Sequence, residues 1–159
     1  MSMKRIEDVI NDVLKGEAQT NALEFIAYLR AVDAVIGDSD NYFWHPTYKG
    51  KELCAINIEI NDDGASFDTF VNSLPIAWTA EGSGEHVDVD ERTKEIVWAN
   101  VRPCEITNCG GCSPGISINI LGKQFNNLCG SFLGIYAPDA ETVECMKKIV
   151  DGLVAGQNK

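Results

Sequence analysis

Tyr42-Phe43-Trp44-His45-Pro46-Thr47-Tyr48-Lys49-Gly50-Lys51-Glu52-Leu53-Cys54-Ala55-Ile56-Asn57-Ile58-Glu59-Ile60-Asn61-Asp62-Asp63-Gly64 is the stretch that decides the fold class. From Tyr42 onward the pattern takes a period of two, that of a strand with one face buried. Lys49-Gly50 separates Tyr42–Tyr48 from Glu52–Ile60 and reads as a tight hairpin turn. In the second arm Cys54, Ile56, Ile58 and Ile60 share one face, with Ala55, Asn57 and Glu59 opposite. Cys54 is therefore expected as a buried, inert thiol. Asn61-Asp62-Asp63-Gly64 is a second turn, and Phe67, Thr69 and Val71 continue a third strand. Consecutive antiparallel strands follow, not βαβ units.

Before this stretch the period is helical. Met3, Ile6, Val9, Ile10, Val13 and Leu14 form one stripe that Gly16 stops. Asn21 and Glu24 resemble a capping box, and Leu23, Ile26, Leu29, Val32 and Ile36 carry a second helix ended by Gly37. Asp38-Ser39-Asp40-Asn41 lacks the glycine and distal glutamate of a calcium loop and reads as a solvated turn.

After the hairpins, Pro75 to Ala80 reads as a short edge strand, and residues 81–86 as a loop. Asp88 or Asp90 caps a helix with Ile96, Val97 and Val101 inward and Trp98 beside them, stopped by Pro103. Ile116, Ile118 and Ile120 alternate in a fifth strand, Gly122-Lys123 turns the chain, and Leu128 to Ala137 is a sixth. Pro138-Asp139-Ala140-Glu141 opens a last helix, with Val143, Met146, Ile149, Val150 and Leu153 inward and Cys145 at the margin as a structural thiol.

The chemistry that the sequence announces lies in Cys104-x4-Cys109-x2-Cys112 and Cys129. Four thiolates can close a tetrahedron around zinc, and Gly110-Gly111 lets the backbone curl toward the sulfurs. Four readings compete, and a structural zinc site on Cys104, Cys109, Cys112 and Cys129 leads. The same spacing matches the first three ligands of a plant-type iron–sulfur cluster, although Glu105 and Ile106 are bulky for a loop that wraps one. Cys109-Gly110-Gly111-Cys112 also has the form of a redox pair, but a strand follows it where a helix N-terminus would be needed. Ordinary reduced thiols are the fourth reading. His45 or His86 could replace Cys104 on the metal, and each is otherwise a packing or surface residue. With Gly122-Lys123 as the turn, Cys129 would face Ile116, and the adjacent Asn126 and Asn127 leave that register open.

Composition bounds the rest. The chain has 159 residues and a formal net charge of −11, with six cysteines. Such a charge repels phosphate backbones and anionic lipid, so no nucleic-acid or membrane partner is expected. No run approaches transmembrane length, and the first residues lack the core of a signal peptide. A cytoplasmic location with reduced or metal-bound thiols follows. Tyr42, Phe43 and Trp44, with Trp78 and Trp98, read first as packing and second as the lining of a small-molecule pocket.

The C-terminal third, from Cys109-Gly110-Gly111-Cys112-Ser113-Pro114-Gly115 through Leu121-Gly122-Lys123-Gln124-Phe125-Asn126-Asn127-Leu128-Cys129 to Pro138-Asp139-Ala140-Glu141, resembles a module of uncharacterised small bacterial proteins. The Tyr48-Lys49-Gly50-Lys51 hairpin is similar to one in the same proteins. The resemblance implies that the cysteines act together and brings no assigned activity.

The expectation is a single α+β domain over residues 1–159: a helical pair at 3–36, sheet and helix at 42–101, and a metal knuckle, hairpin and final helix at 102–156. Five or six antiparallel strands carry helices mainly on one face. A closed metal site leaves no catalyst, so a non-catalytic module binding a small apolar ligand or a protein is expected. A thiol–disulfide or iron–sulfur redox protein is the alternative.

Overall fold

The computed structural model describes residues 2–81, 87–104 and 115–159. These form an α+β structure of five helices and a six-stranded antiparallel sheet, with a separate two-stranded ribbon. Helices α1 (Ile6–Val13) and α2 (Gly16–Ala31) come first, joined at the buried Leu14. Ile6, Val9 and Ile10 are buried at the helical spacing read from the sequence. Helix α2 starts five residues before Asn21, which is no cap. Asn21 lies mid-helix, 5 % exposed, and its Nδ2 donates to Pro138 O at 3.1 Å. Asp33, at φ 64, turns the chain after Ala31, so Val32 and Ile36 lie beyond the helix.

The first hairpin forms as read. Strands β1 (Phe43–Trp44) and β4 (Ala55–Asn61) pair antiparallel, and between them β2 (Thr47–Tyr48) and β3 (Lys51–Glu52) make the ribbon. Lys49 and Gly50 both take positive φ, the conformation of a two-residue hairpin turn. Pro46 has no N–H for the ladder, and the register slips by one residue across it. Its carbonyl still accepts from Leu53 N at 2.8 Å. Strand β5 (Gly64–Val71) returns through the second turn, pairing Asn61 with Gly64.

Three expectations are corrected beyond this point. Residues around Pro75 form helix α3 (Ile76–Thr79), not an edge strand: Pro75 stands at its N-cap, and Trp78 N closes the turn on Pro75 O at 2.8 Å. Helix α4 (Glu91–Ala99) opens on Asp90, which accepts from Thr93 N at 2.8 Å, but it ends before Val101. Val101–Pro103 is instead strand β6, so Cys104 follows a strand and not a helix. Finally, β7 (Ile116–Ile120) turns at Leu121-Gly122, both at positive φ, rather than at Gly122-Lys123. The return arm and the sixth strand are one, β8 (Lys123–Tyr136).

The sheet runs β1-β4-β5-β8-β6, with β7 also on β8. The pairs Ile56↔Thr69↔Ile135, Ile58↔Phe67 and Val71↔Leu133 put one face against the helices. Helix α5 (Ala140–Gln157), capped by Asp139 on Thr142 N, spans that face and buries Val143, Met146, Ile149 and Val150. The opposite face carries Ala55, Phe70 and Gly134 in one row and Asn57, Asp68 and Tyr136 in the next. Among the described residues, no helix is long and apolar enough to cross a membrane.

Candidate functional site

Of the four proposed metal ligands, Cys104 and Cys129 are described; Cys109 and Cys112 lie outside the described residues, as does His86. Cys104 is buried at the end of β6, and Cys129 is half-buried within β8. Cys104 N donates to Asn127 O at 2.7 Å, and Asn127 Nδ2 donates back to Cys104 O at 3.4 Å. The chain re-emerges on the same spot. Gly115 packs so tightly on Asn127 that a Cβ there would lie 2.5 Å from Asn127 Oδ1, and Ile116 pairs with Leu128. Pro103 pairs with Leu128 from the other side.

Both ends of the cysteine-bearing segment are thus fixed on Asn127 and Leu128, immediately before Cys129. Leu128, not Cys129, stands opposite Ile116. The turn falls one residue earlier than read, and the pairing shifts again between Ile118 and Ile116, beside Asn127 at φ 57. Among the described residues, no group of three or more His, Cys, Asp or Glu side chains gathers to hold a metal. Those residues include two of the four thiols.

The remaining cysteines behave as core. Burial, with the charge of Glu52 adding to it, pushes the Cys54 thiol up to about 12. Burial likewise pushes Cys145 up to about 11, with Lys148 opposing. A thiol so reluctant to ionise is a poor nucleophile and a poor ligand. His45 Nδ1 lies 2.7 Å from Glu52 Oε2.

The aromatic run is mostly packing. Trp44 and Trp78 are buried, and Trp98 Nε1 donates to Ile120 O at 2.8 Å. Phe43 lines a cleft, on the sheet face opposite the described helices. The cleft has a volume of about 310 Å³ and is lined by Phe43, His45, Phe70, Asn72, Arg102 and Ser131, with Ala55 as its floor. The Arg102 guanidinium lies over the Phe70 ring at 5.0 Å, and Phe70 meets Tyr136 edge-on at 5.7 Å. Gly134 makes this possible, since a Cβ there would come within 2.7 Å of Arg102 Cδ. Sequence reading missed Glu52, Asn72, Arg102 and Ser131, because the set is assembled from four separate parts of the chain. Pro46, beside His45, was the one local hint of a break in the hairpin.

No family model, curated protein or solved structure matches the chain.

Proposed function

We propose that this chain is a non-catalytic binding module stapled by a structural zinc ion on Cys104, Cys109, Cys112 and Cys129. One observation carries the reading: Cys104 and Gly115 are both anchored on Asn127 and Leu128, next to Cys129. The segment bearing Cys109 and Cys112 therefore leaves from and returns to the neighbourhood of the other two thiols. Thiolate is the donor that zinc prefers at closed structural sites, and four of them complete its tetrahedron. A closed tetrahedron has no open position for substrate or water, so its contribution is to folding rather than to chemistry. Reduced, metal-bound thiols suit a cytoplasmic setting, and the charge of −11 disfavours nucleic acid as a partner.

Metal analysis of the purified protein is the test. One zinc per colorless chain is expected, lost in Cys109→Ser and Cys112→Ser and kept in Cys145→Ser. A brown protein containing iron would transfer the same cysteines to a redox cluster. A metal-free protein whose thiols all react would end the reading.

A further inference from the structure

The face of the sheet opposite the described helices carries a polar set that a zinc staple does not use. Glu52 accepts from Asn72 Nδ2 at 2.7 Å through Oε1 and faces His45 Nδ1 at 2.7 Å through Oε2. An ionised carboxylate only accepts, so Nδ1 carries the hydrogen and Asn72 turns its amide nitrogen toward Glu52. The Asn72 oxygen then receives the Ser131 hydroxyl at 2.7 Å. Four side chains from β3, β8 and two loops are thereby held in one orientation. The His45 ring has Nε2 as its other polar atom, and it stands 4.9 Å from the ring of Phe43.

Across the cleft stands Arg102. Its guanidinium carbon lies over the Phe70 ring, and no carboxylate of the described residues lies within ion-pair distance of it. An oriented guanidinium presents a planar fork of N–H donors that matches a carboxylate with two parallel bonds. The surrounding charge of −11 favours a single negative charge over a polyanion. Phe43 and Phe70 offer ring surface on the same open cleft of about 310 Å³.

We infer that this cleft binds a small planar carboxylate, its carboxyl group on Arg102, its ring against Phe43 and Phe70, and a hydroxyl reaching His45. The assignment rests on the binding-module half of the proposed function and shares no residue with its metal half. The ligand is therefore polar at both ends, in contrast to the purely apolar molecule that the aromatic run suggested.

The test titrates the full chain with 4-hydroxybenzoate, benzoate, phenol and inorganic phosphate, followed by NMR. 4-Hydroxybenzoate should bind saturably, shift the signals of Phe43, Phe70 and Arg102, and bind about tenfold or more tightly than phenol, which lacks the carboxylate. Arg102→Gln should weaken 4-hydroxybenzoate by about tenfold or more while the amide spectrum elsewhere is preserved. His45→Ala should remove the advantage of 4-hydroxybenzoate over benzoate. Absence of saturable shifts in the cleft overturns the inference, as does phosphate binding as tightly as benzoate or an Arg102→Gln protein that binds unchanged. Failure of binding in a zinc-loaded protein refutes the cleft alone, whereas binding by a metal-free protein refutes the zinc alone.

Discussion

Around α1 and α2 the core is built from large residues with almost no exposure: Ile6, Ile10 and Leu29 at 0 %, with Phe25 and Ile26 at 1 %. They close over Ile56, Ile58 and Phe67 of the sheet. Around α3, α4 and β7 the buried set is smaller among the described residues. Trp78, Ile96, Val97, Ile120, Leu121 and Leu128 supply it, with Trp98 and Phe125 packed at its edge. Helix α5 serves both, sending Val143, Met146 and Val150 into the first cluster and Cys145 and Ile149 into the second. The difference shows where the proposed zinc staple would have most to add. The first region has apolar area enough to hold two helices, while the second borders the segment that carries the cysteines.

The largest expected effect separates the two regions directly. Binding free energy at structural zinc sites is about 10–16 kcal/mol and counts as folding free energy. If the proposed zinc is bound, chelation should therefore cost several kcal/mol of a domain's stability of about 5–15 kcal/mol. Hydrogen exchange should rise first in α4 and β7, with α1 and α2 protected longest. Uniform loss of protection along the chain would erase the distinction.

A smaller effect compares one thiol from each region. Cys54→Ser and Cys145→Ser should each cost about 1–3 kcal/mol by burying a hydroxyl without a designed partner, with metal content unchanged. Both thiols have raised values in the folded chain, so the unfolded state loses its protons first. Stability should fall as pH climbs from the ordinary thiol value of 9.0 toward about 11 for Cys145 and about 12 for Cys54. Denaturant midpoints across that range measure it, and a flat profile in the wild type would contradict the assignment.

The smallest effect falls on the shared helix. Asp139 caps α5, and the Thr142 side chain and N–H hold its carboxyl below the ordinary range. That contribution is present above the unfolded value of about 3.9 and fades as pH falls below it. Asp139→Ala should cost about 0.5–2 kcal/mol at neutral pH. Asp139→Asn should keep most of the cap and flatten the acid limb, and an unchanged acid limb would show that other carboxylates dominate it.

What could be read from the residues was local. Lys49-Gly50 and Asn61-Asp62-Asp63-Gly64 encode their turns in their own chemistry, and Asp90 and Asp139 cap the helices they precede. What escaped reading depended on distant partners. Asn21 looks like a cap until Pro138, far along the chain, supplies the carbonyl that buries it inside α2. Val101–Pro103 is too short to announce a strand and becomes one because β8 offers an edge. The register of the β7–β8 hairpin turned on Asn127, whose left-handed backbone a sequence pattern does not record. For the cysteines, spacing suggested the chemistry proposed above, while only the fold brought Cys104 and Gly115 onto Asn127, two residues before Cys129.

Gly134 has a consequence for how this protein can vary. It sits near the C-terminal end of β8, paired with Phe70, and the space where its side chain would be is filled by Arg102. Any larger residue at 134 would evict the arginine from the Phe70 ring, so a change in the sheet's centre is also a change in the cleft's only stacked cation among the described residues. Positions 102 and 134 are therefore a coupled pair: a shortened side chain at 102 opens room for a methyl group at 134, while an arginine at 102 holds 134 to glycine.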